Sequence, residues 1–261
     1  MGAMSELGAD VLPNRIDKVL VLIPSLNDGA ALPALVRSLR AQGAGLQPLI
    51  VDDGSAYPVV PPELAEQCLH VRLPANFGLG MCTHIAFSHA IRHRYDAVVR
   101  VDSDGQHDVR DIHRFVDVLR GGGADVVIGA RANQDRSRTL NNLARRTMKM
   151  YFTTLAAVLT HGKLPRDVNS GFFAANARAI ASLNYSTFER FPEPEMFIVA
   201  VRSGLRVAAV DIEQLPRRDG ASTLGVLAAV QLSLRFTVFA IGQLLRRRTP
   251  PTRREESRWR T

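Results

Sequence analysis

The chain has 261 residues, of which 46% are hydrophobic and 6% aromatic, and its 33 Lys and Arg against 25 Asp and Glu give a formal net charge of +8. That length suits one large α/β domain or two small ones, and the apolar content excludes a wholly disordered chain. The positive excess implies an anionic partner. The scarcity of aromatic residues, with no strand carrying stacking rings, argues against nucleic acid, and Cys68 and Cys82, which make no metal or disulfide pattern, suit a reducing cytoplasm.

Met1 to Asp17 is polar and lacks the apolar core of a signal peptide, so residues 1–15 are expected to be disordered. Val19 to Ile23 is a short apolar run stopped by Pro24, the pattern of a strand buried on both faces. Ala30 to Ala41 has helical spacing, with Leu32, Leu35, Val36 and Leu39 on one side, and Gly43 and Gly45 end it. Pro48 to Val51 reads as a second strand and Leu69 to Arg72 as a third, followed by a helix from Met81 to Arg94. Ala97 to Val101 is a fourth strand, Ile112 to Leu119 a helix with Asp108 as its expected N-cap, and Asp125 to Ile128 a fifth strand. Leu140 to Leu159 is helical with a basic patch at Arg145, Arg146 and Lys149; a helix opens at Glu193-Pro194-Glu195 and runs through Val201, and Arg206 to Ile212 is a further strand. Strands alternating with helices predict an α/β fold with a doubly wound, mostly parallel, Rossmann-like sheet, helices on both faces and amphipathic helices at the C-terminal end.

Leu224 to Leu245 is apolar over a length that invites a test as a membrane-spanning helix. Arg235 stands at its middle, and a central Arg costs at least ~2.5 kcal/mol in hydrocarbon. A helix over 224–248 lying in the membrane interface, ahead of a basic tail over 249–261, fits better. Packing of this helix into the core is the alternative.

Asp102-Ser103-Asp104 ends the fourth strand. Residues i and i+2 of an extended strand point to one side, so the two carboxylates converge; they repel unless a cation sits between them. A hard divalent ion accepts such oxygens, and magnesium bound this way keeps positions for substrate phosphates, so the pair is expected to hold a metal and a diphosphate. The D-x-D-G start of a calcium loop is excluded, because that loop needs Gly and Glu where His107 and His113 stand. Solvated acidic residues ahead of the next helix are the bland alternative. Its weight falls because Pro24 to Asp28, Asp52 to Ser55, Asn76 to Gly80 and Asp102 to Gln106 all lie at carboxyl ends of strands, where open α/β sheets bind ligands.

Ile23-Pro24-Ser25-Leu26-Asn27-Asp28, Val51-Asp52-Asp53-Gly54-Ser55, Asn76-Phe77-Gly78-Leu79-Gly80 and Asp102-Ser103-Asp104-Gly105-Gln106-His107, taken in order, resemble the family-2 glycosyltransferases of GT-A fold. Gly129-Ala130-Arg131, Asp167 to Phe172 and Arg217-x-x-Gly220-x-Ser222 narrow the resemblance to the dolichyl- and polyprenyl-phosphate sugar synthase branch. It covers residues 16–223, the expected catalytic domain, and a little beyond. The resemblance implies that Pro24, Leu26, Asp28, Val51, Asp53 and Ser103 hold the donor, that Asp102, Asp104 and Gln106 sit at Mg²⁺ or Mn²⁺ and the diphosphate, and that Arg131 and Arg217 neutralise phosphate oxygens. Two positions depart from the branch: Asp28 stands where Glu is common, and Thr223 follows Ser222 where Lys is common.

The implied activity is inverting transfer of a sugar from a UDP- or GDP-sugar to a polyprenyl phosphate or another lipid-linked acceptor. The enzyme is then expected to be cytoplasmic and peripheral at the inner face of the membrane, attracted by its anionic surface. A soluble hydroxyl acceptor is the nearest rival and would need a carboxylate base, for which Glu195 and Glu193 are the candidates; their alternative role is favourable charge at a helix N-terminus. A nucleotidyltransferase is disfavoured, since Ile23 to Asp28 has no Gly-rich phosphate loop. A catalytically inactive membrane-surface module is the non-enzymatic alternative, against which the intact Asp102 and Asp104 argue.

Overall fold

The computed structural model describes residues 15–131, 140–164, 170–184, 193–213 and 226–245. The expected disordered start, the basic tail, Asp167 to Asn169, and Arg217, Arg218, Gly220, Ser222 and Thr223 lie outside the described residues, as do the side chains of Arg145, Arg146 and Lys149. In chain order the elements are β1 (Val19–Ser25), α1 (Leu32–Ala41), β2 (Leu46–Asp52), α2 (Pro62–Ala65), β3 (Leu69–Arg72), α3 (Leu79–Arg92), β4 (Ala97–Arg100), α4 (Asp111–Arg120), β5 (Val126–Arg131), α5 (Leu140–Thr160), β6 (Phe173–Asn176), α6 (Ala177–Leu183), α7 (Glu193–Arg202), β7 (Val207–Ile212) and α8 (Val226–Leu245).

The seven strands form one sheet in the order β3-β2-β1-β4-β6-β5-β7. All neighbours are parallel except β6, which runs antiparallel to both β4 and β5. The expected α/β fold with a mostly parallel sheet is therefore what forms. β6 is the element that the sequence pattern did not announce: Phe-Ala-Ala-Asn has no alternation, and the slot between β4 and β5 makes it a strand.

β1 explains the layering. Val19, Val21 and Ile23 enter one apolar layer with α1 and α4, while Leu20 and Leu22 enter the other with α3, α6 and α7. Both faces of the strand are covered, which is why it reads as a continuous apolar run. β1 continues through Pro24 rather than stopping there. Ser25 accepts the Asp53 N–H on the β2 side, so the missing N–H of Pro24 faces β4, whose pairing has already ended at Arg100 opposite Leu22.

Asp108 is not the N-cap of α4, which starts at Asp111 after Arg110. Its carboxylate instead accepts the Arg110 N–H at 2.9 Å in a turn just ahead of the helix. α8 packs on α5 through Phe236 and Ala240 against Phe152, Ala156 and Leu159, and the Tyr151 and Thr237 hydroxyls meet at 2.6 Å. Among the described residues, no helix is long and apolar enough to cross a membrane.

At the amino ends of the parallel strands, Asp125 ties the starts of β5 and β7 to the end of β6. Its buried carboxylate accepts the Arg206 N–H at 2.9 Å and the Asn176 side-chain amide at 3.2 Å, with the Arg206 guanidinium at 3.3 Å. Burial pushes this carboxyl up, but the Arg206 and Asn176 hydrogen bonds outweigh it and hold the pKa below its ordinary value. A carboxyl depressed on folding adds stability that is present above its unfolded pKa and lost as pH falls through the lower folded one. Asp125→Ala should therefore cost about 1–3 kcal/mol at neutral pH in urea unfolding. The gap from wild type should narrow as the pH falls below about 4, toward the depressed folded value.

Candidate active site

The carboxyl ends of β1, β2 and β4 are held together by side chains from the loops that follow them. Asn27 adopts a left-handed conformation (φ 54°), which Asn tolerates better than most residues. Its N–H donates to Ser55 Oγ at 2.8 Å and its side-chain oxygen accepts the Ala56 N–H at 2.9 Å, joining the first loop to the second. Gly54, at φ 78°, passes so close to Ala75 that a Cβ there would lie 2.3 Å from the Ala75 carbonyl carbon. Asp53 accepts the N–H groups of Phe77 and Gly78, both at 2.8 Å, so it organises the loop ahead of α3.

These contacts place the expected donor residues unevenly. Asp28 meets the β4 loop directly, because Ser103 Oγ donates to its carboxylate at 3.2 Å, and Leu26 is exposed on the same rim. Val51 is fully buried in the apolar layer with Leu20, Leu22 and Cys82, so its side chain packs the core. Pro24 is likewise buried within β1. Both carboxylate oxygens of Asp53 accept backbone N–H groups, which makes it a loop brace in this conformation.

Asp102 is the centre of the site. Its Oδ1 accepts from Arg100 Nη2 at 3.0 Å, and its side chain keeps 37% exposure. Its backbone N–H donates to His107 Nδ1 at 3.2 Å, which leaves the His107 proton on Nε2. The His107 ring stacks on Phe172 (centroids 4.8 Å apart), which stacks on Phe115 (4.4 Å). Burial pushes the His107 pKa down, against the pull of Asp102 and Asp104, and keeps the ring neutral. Burial also works to raise Asp102, but the charges of Arg100 and Arg131 outweigh it and hold the carboxyl below its ordinary value. Arg131, at the end of β5, thus acts on Asp102 through its charge.

Asp104 accepts the Gln106 N–H at 3.0 Å, so the metal candidates Asp102, Asp104 and Gln106 lie on one short turn. Among the described residues no group of three or more His, Cys, Asp or Glu side chains could hold a metal ion. Two carboxylates and an amide are oxygen donors of the kind that a hard divalent cation takes when substrate phosphates and water complete its shell, so the residues fit Mg²⁺ or Mn²⁺ shared with a diphosphate.

Both candidate bases are buried in the first turn of α7. Glu193 Oε1 accepts from Arg100 Nη1, so it is tied to β4. Successive helix residues are ~100° apart, so Glu195 leaves the helix in a different direction. Arg100 is the member of this cluster that the sequence pattern did not single out. It lies at the end of an apolar strand, two residues before Asp102, and a charge in that position is the available signal.

The family model for Glycosyl transferase family 2 matches residues 20–181, which run from β1 through β6. The chain belongs to glycosyl transferase family 2. This family-2 glycosyltransferase is 26% identical over 231 residues to the polyprenol monophosphomannose synthase of Mycolicibacterium smegmatis, covering 83% of each chain. It is 26% identical over 215 residues to the undecaprenyl-phosphate mannosyltransferase of Micrococcus luteus, covering 79% of this chain and 87% of that one. Among solved structures, glucosyl-3-phosphoglycerate synthase from Mycobacterium tuberculosis with Mn²⁺, UDP and glucosyl-3-phosphoglycerate superposes with a TM-score of 0.65 at 20% identity. That match covers 91% of this chain and 82% of the other, and it shares the GT-A fold.

Gly171 presses on the back of the site: a Cβ there would lie 2.7 Å from Asp102 Oδ2 and 2.9 Å from Oδ1. Gly171→Ala should push the carboxylate aside without unfolding the chain. A displacement of about 1 Å is expected to cost on the order of 10²-fold in the rate of sugar transfer, with the melting temperature near that of wild type.

Proposed function

We propose that this glycosyltransferase moves a sugar, with inversion, from a nucleotide-sugar donor to a polyprenyl phosphate, using Mg²⁺ or Mn²⁺. The observation that carries the reading is the meeting of Asp28, Ser103, Asp102 and Arg131 around the carboxyl end of β4. The names of the polyprenyl-phosphate relatives support the acceptor, and the Mn²⁺- and UDP-bound neighbour supports the metal and the type of donor.

The site holds the donor diphosphate between the turn Asp102 to Gln106 and the guanidinium of Arg131, with Arg217 joining by its place in the sequence. The divalent ion, when bound, stabilises negative charge on the departing nucleoside diphosphate. An acceptor phosphate oxygen forms the new bond to the anomeric carbon as the bond to the diphosphate oxygen breaks, and that oxygen takes the electron pair. A phosphate monoester is already ionised near neutral pH, since its second pKa is about 6, so it needs no protein base. A hydroxyl acceptor is the second reading, favoured by the buried Glu195 at the start of α7, a carboxylate that could take the hydroxyl proton.

Assays of transfer from UDP- and GDP-sugars to a polyprenyl phosphate test both readings. Asp104→Ala should abolish metal-dependent donor binding and transfer, whereas Glu195→Gln should keep most of the wild-type rate. Transfer by Asp104→Ala at the wild-type rate would sink the metal reading. Loss of transfer in a folded Glu195→Gln enzyme would favour the hydroxyl acceptor.

For the membrane surface, the support is the outer face of α8. Leu234, Val238, Ile241 and Leu245 recur at helical spacing and are 52–80% exposed, with Met150 and Val158 exposed on the neighbouring α5. Arg235 is exposed on α8, and Arg246, Arg247 and Arg248 follow it in the sequence. An apolar stripe beside cationic residues fits a helix lying in an anionic lipid interface. Replacing Leu234, Val238 and Ile241 with Ser should release the enzyme from sedimenting phosphatidylglycerol vesicles while leaving nucleoside diphosphate binding intact. Unchanged sedimentation would assign that face to another partner.

A further inference from the structure

Val99 and Val101 enter the apolar layer of α1 and α4, while Val98 enters that of α3, α6 and α7. Strand alternation therefore turns Arg100, and Asp102 after it, toward α7. Arg100 is 2% exposed and bridges two carboxylates, with Nη1 to Glu193 and Nη2 to Asp102 at 3.0 Å, while its Nε has no hydrogen-bond partner. A guanidinium this deep demands a counter-charge. Asp102 alone would satisfy it, but only by giving up the negative charge that a divalent cation needs. Glu193 supplies a second carboxylate and leaves one negative charge over. Gly171 approaches both oxygens of the same carboxylate, so Asp102 is confined by Arg100 and by the backbone just ahead of β6.

We infer that Arg100 and Glu193 are positioning residues for Asp102: Glu193 neutralises the buried guanidinium so that Asp102 keeps its charge and direction for the metal–diphosphate group, and Glu193 is not a proton acceptor. The inference rests on the proposed role of Asp102 and Asp104. It also divides the two glutamates of α7, which the sequence alone left equivalent.

The test is Mn²⁺ binding to the full chain, followed by electron paramagnetic resonance with UDP or GDP, whichever binds the wild type. In Glu193→Gln, Arg100 turns its whole charge on Asp102, and Mn²⁺ affinity should fall by about 10–100-fold, as it does when partners of ligating side chains are removed. Saturating Mn²⁺ should then restore kcat to near the wild-type value while the metal requirement stays raised. Arg100→Lys, which keeps the charge but loses the fork, should shift Mn²⁺ affinity in the same direction. Should Glu193→Gln not fold, Glu193→Asp is read in the same titration, with weakened Mn²⁺ binding expected and unchanged binding contrary. Wild-type Mn²⁺ affinity in Glu193→Gln, or a kcat that saturating Mn²⁺ does not restore, overturns the inference. Asp104→Ala separates the levels of failure. If it loses Mn²⁺ binding while Glu193→Gln does not, only the positioning role falls; if neither loses it, the metal site beneath falls too.

Discussion

A single guanidinium, buried among apolar side chains at the end of β4, ties the sheet to the chemistry. Arg100 has no route to water, so its charge must be answered inside the protein, and Asp102 and Glu193 are the groups that answer it. One comes from the loop that carries the expected metal ligands, the other from the first turn of α7. The arrangement sets where α7 begins relative to the sheet, and it sets the direction of the Asp102 carboxylate. A cation in this position contributes little net stability over an apolar replacement, because desolvation offsets most of the attraction. Its consequence is geometric, and the site depends on that geometry.

Around this centre the fold supplies rigid surroundings. His107 and Phe172 brace the backbone of Asp102 from the layer of α1 and α4, while Gly171, just ahead of β6, presses against its side chain. Asn27, Ser55, Asp53 and the N–H groups of Phe77 and Gly78 lock the neighbouring loops to one another. Polar side chains that look as if they await a ligand are thus partly occupied in holding loops. Membership of glycosyl transferase family 2 makes the chain a glycosyltransferase, and the proposed function puts this apparatus at the donor end of the transfer. The outer face of α8 stands apart from it, apolar and exposed, on a helix whose inner face is packed against α5.

The parts of the fold legible in the sequence were those with strong local patterns. β1 was plain as an apolar run and α4 from Ile112, Phe115, Val116 and Leu119, and both formed in place. The strand-end motifs were legible because Gly, Asp and Asn cluster where strands give way to loops. β6 was not, since a four-residue segment without alternation acquires its conformation only from partners on both sides. Val51 belongs to a motif of the donor end, and its position on the strand turns its side chain into the core. Asp108 was expected to cap α4, yet its carboxylate holds a turn ahead of that helix.

The sequence by itself determined the α/β class, and it pointed to the candidate edge of the sheet and the candidate pair Asp102 and Asp104, because strand periodicity and loop chemistry are local properties. It left Glu193 and Glu195 interchangeable and Arg100 without a role. Tertiary structure decided those points: it brought a strand residue and a helix residue 93 positions apart into one buried ion pair. No local pattern reports such a contact, since what requires it is the cost of an unanswered charge in the interior, and the interior exists only once the chain has folded.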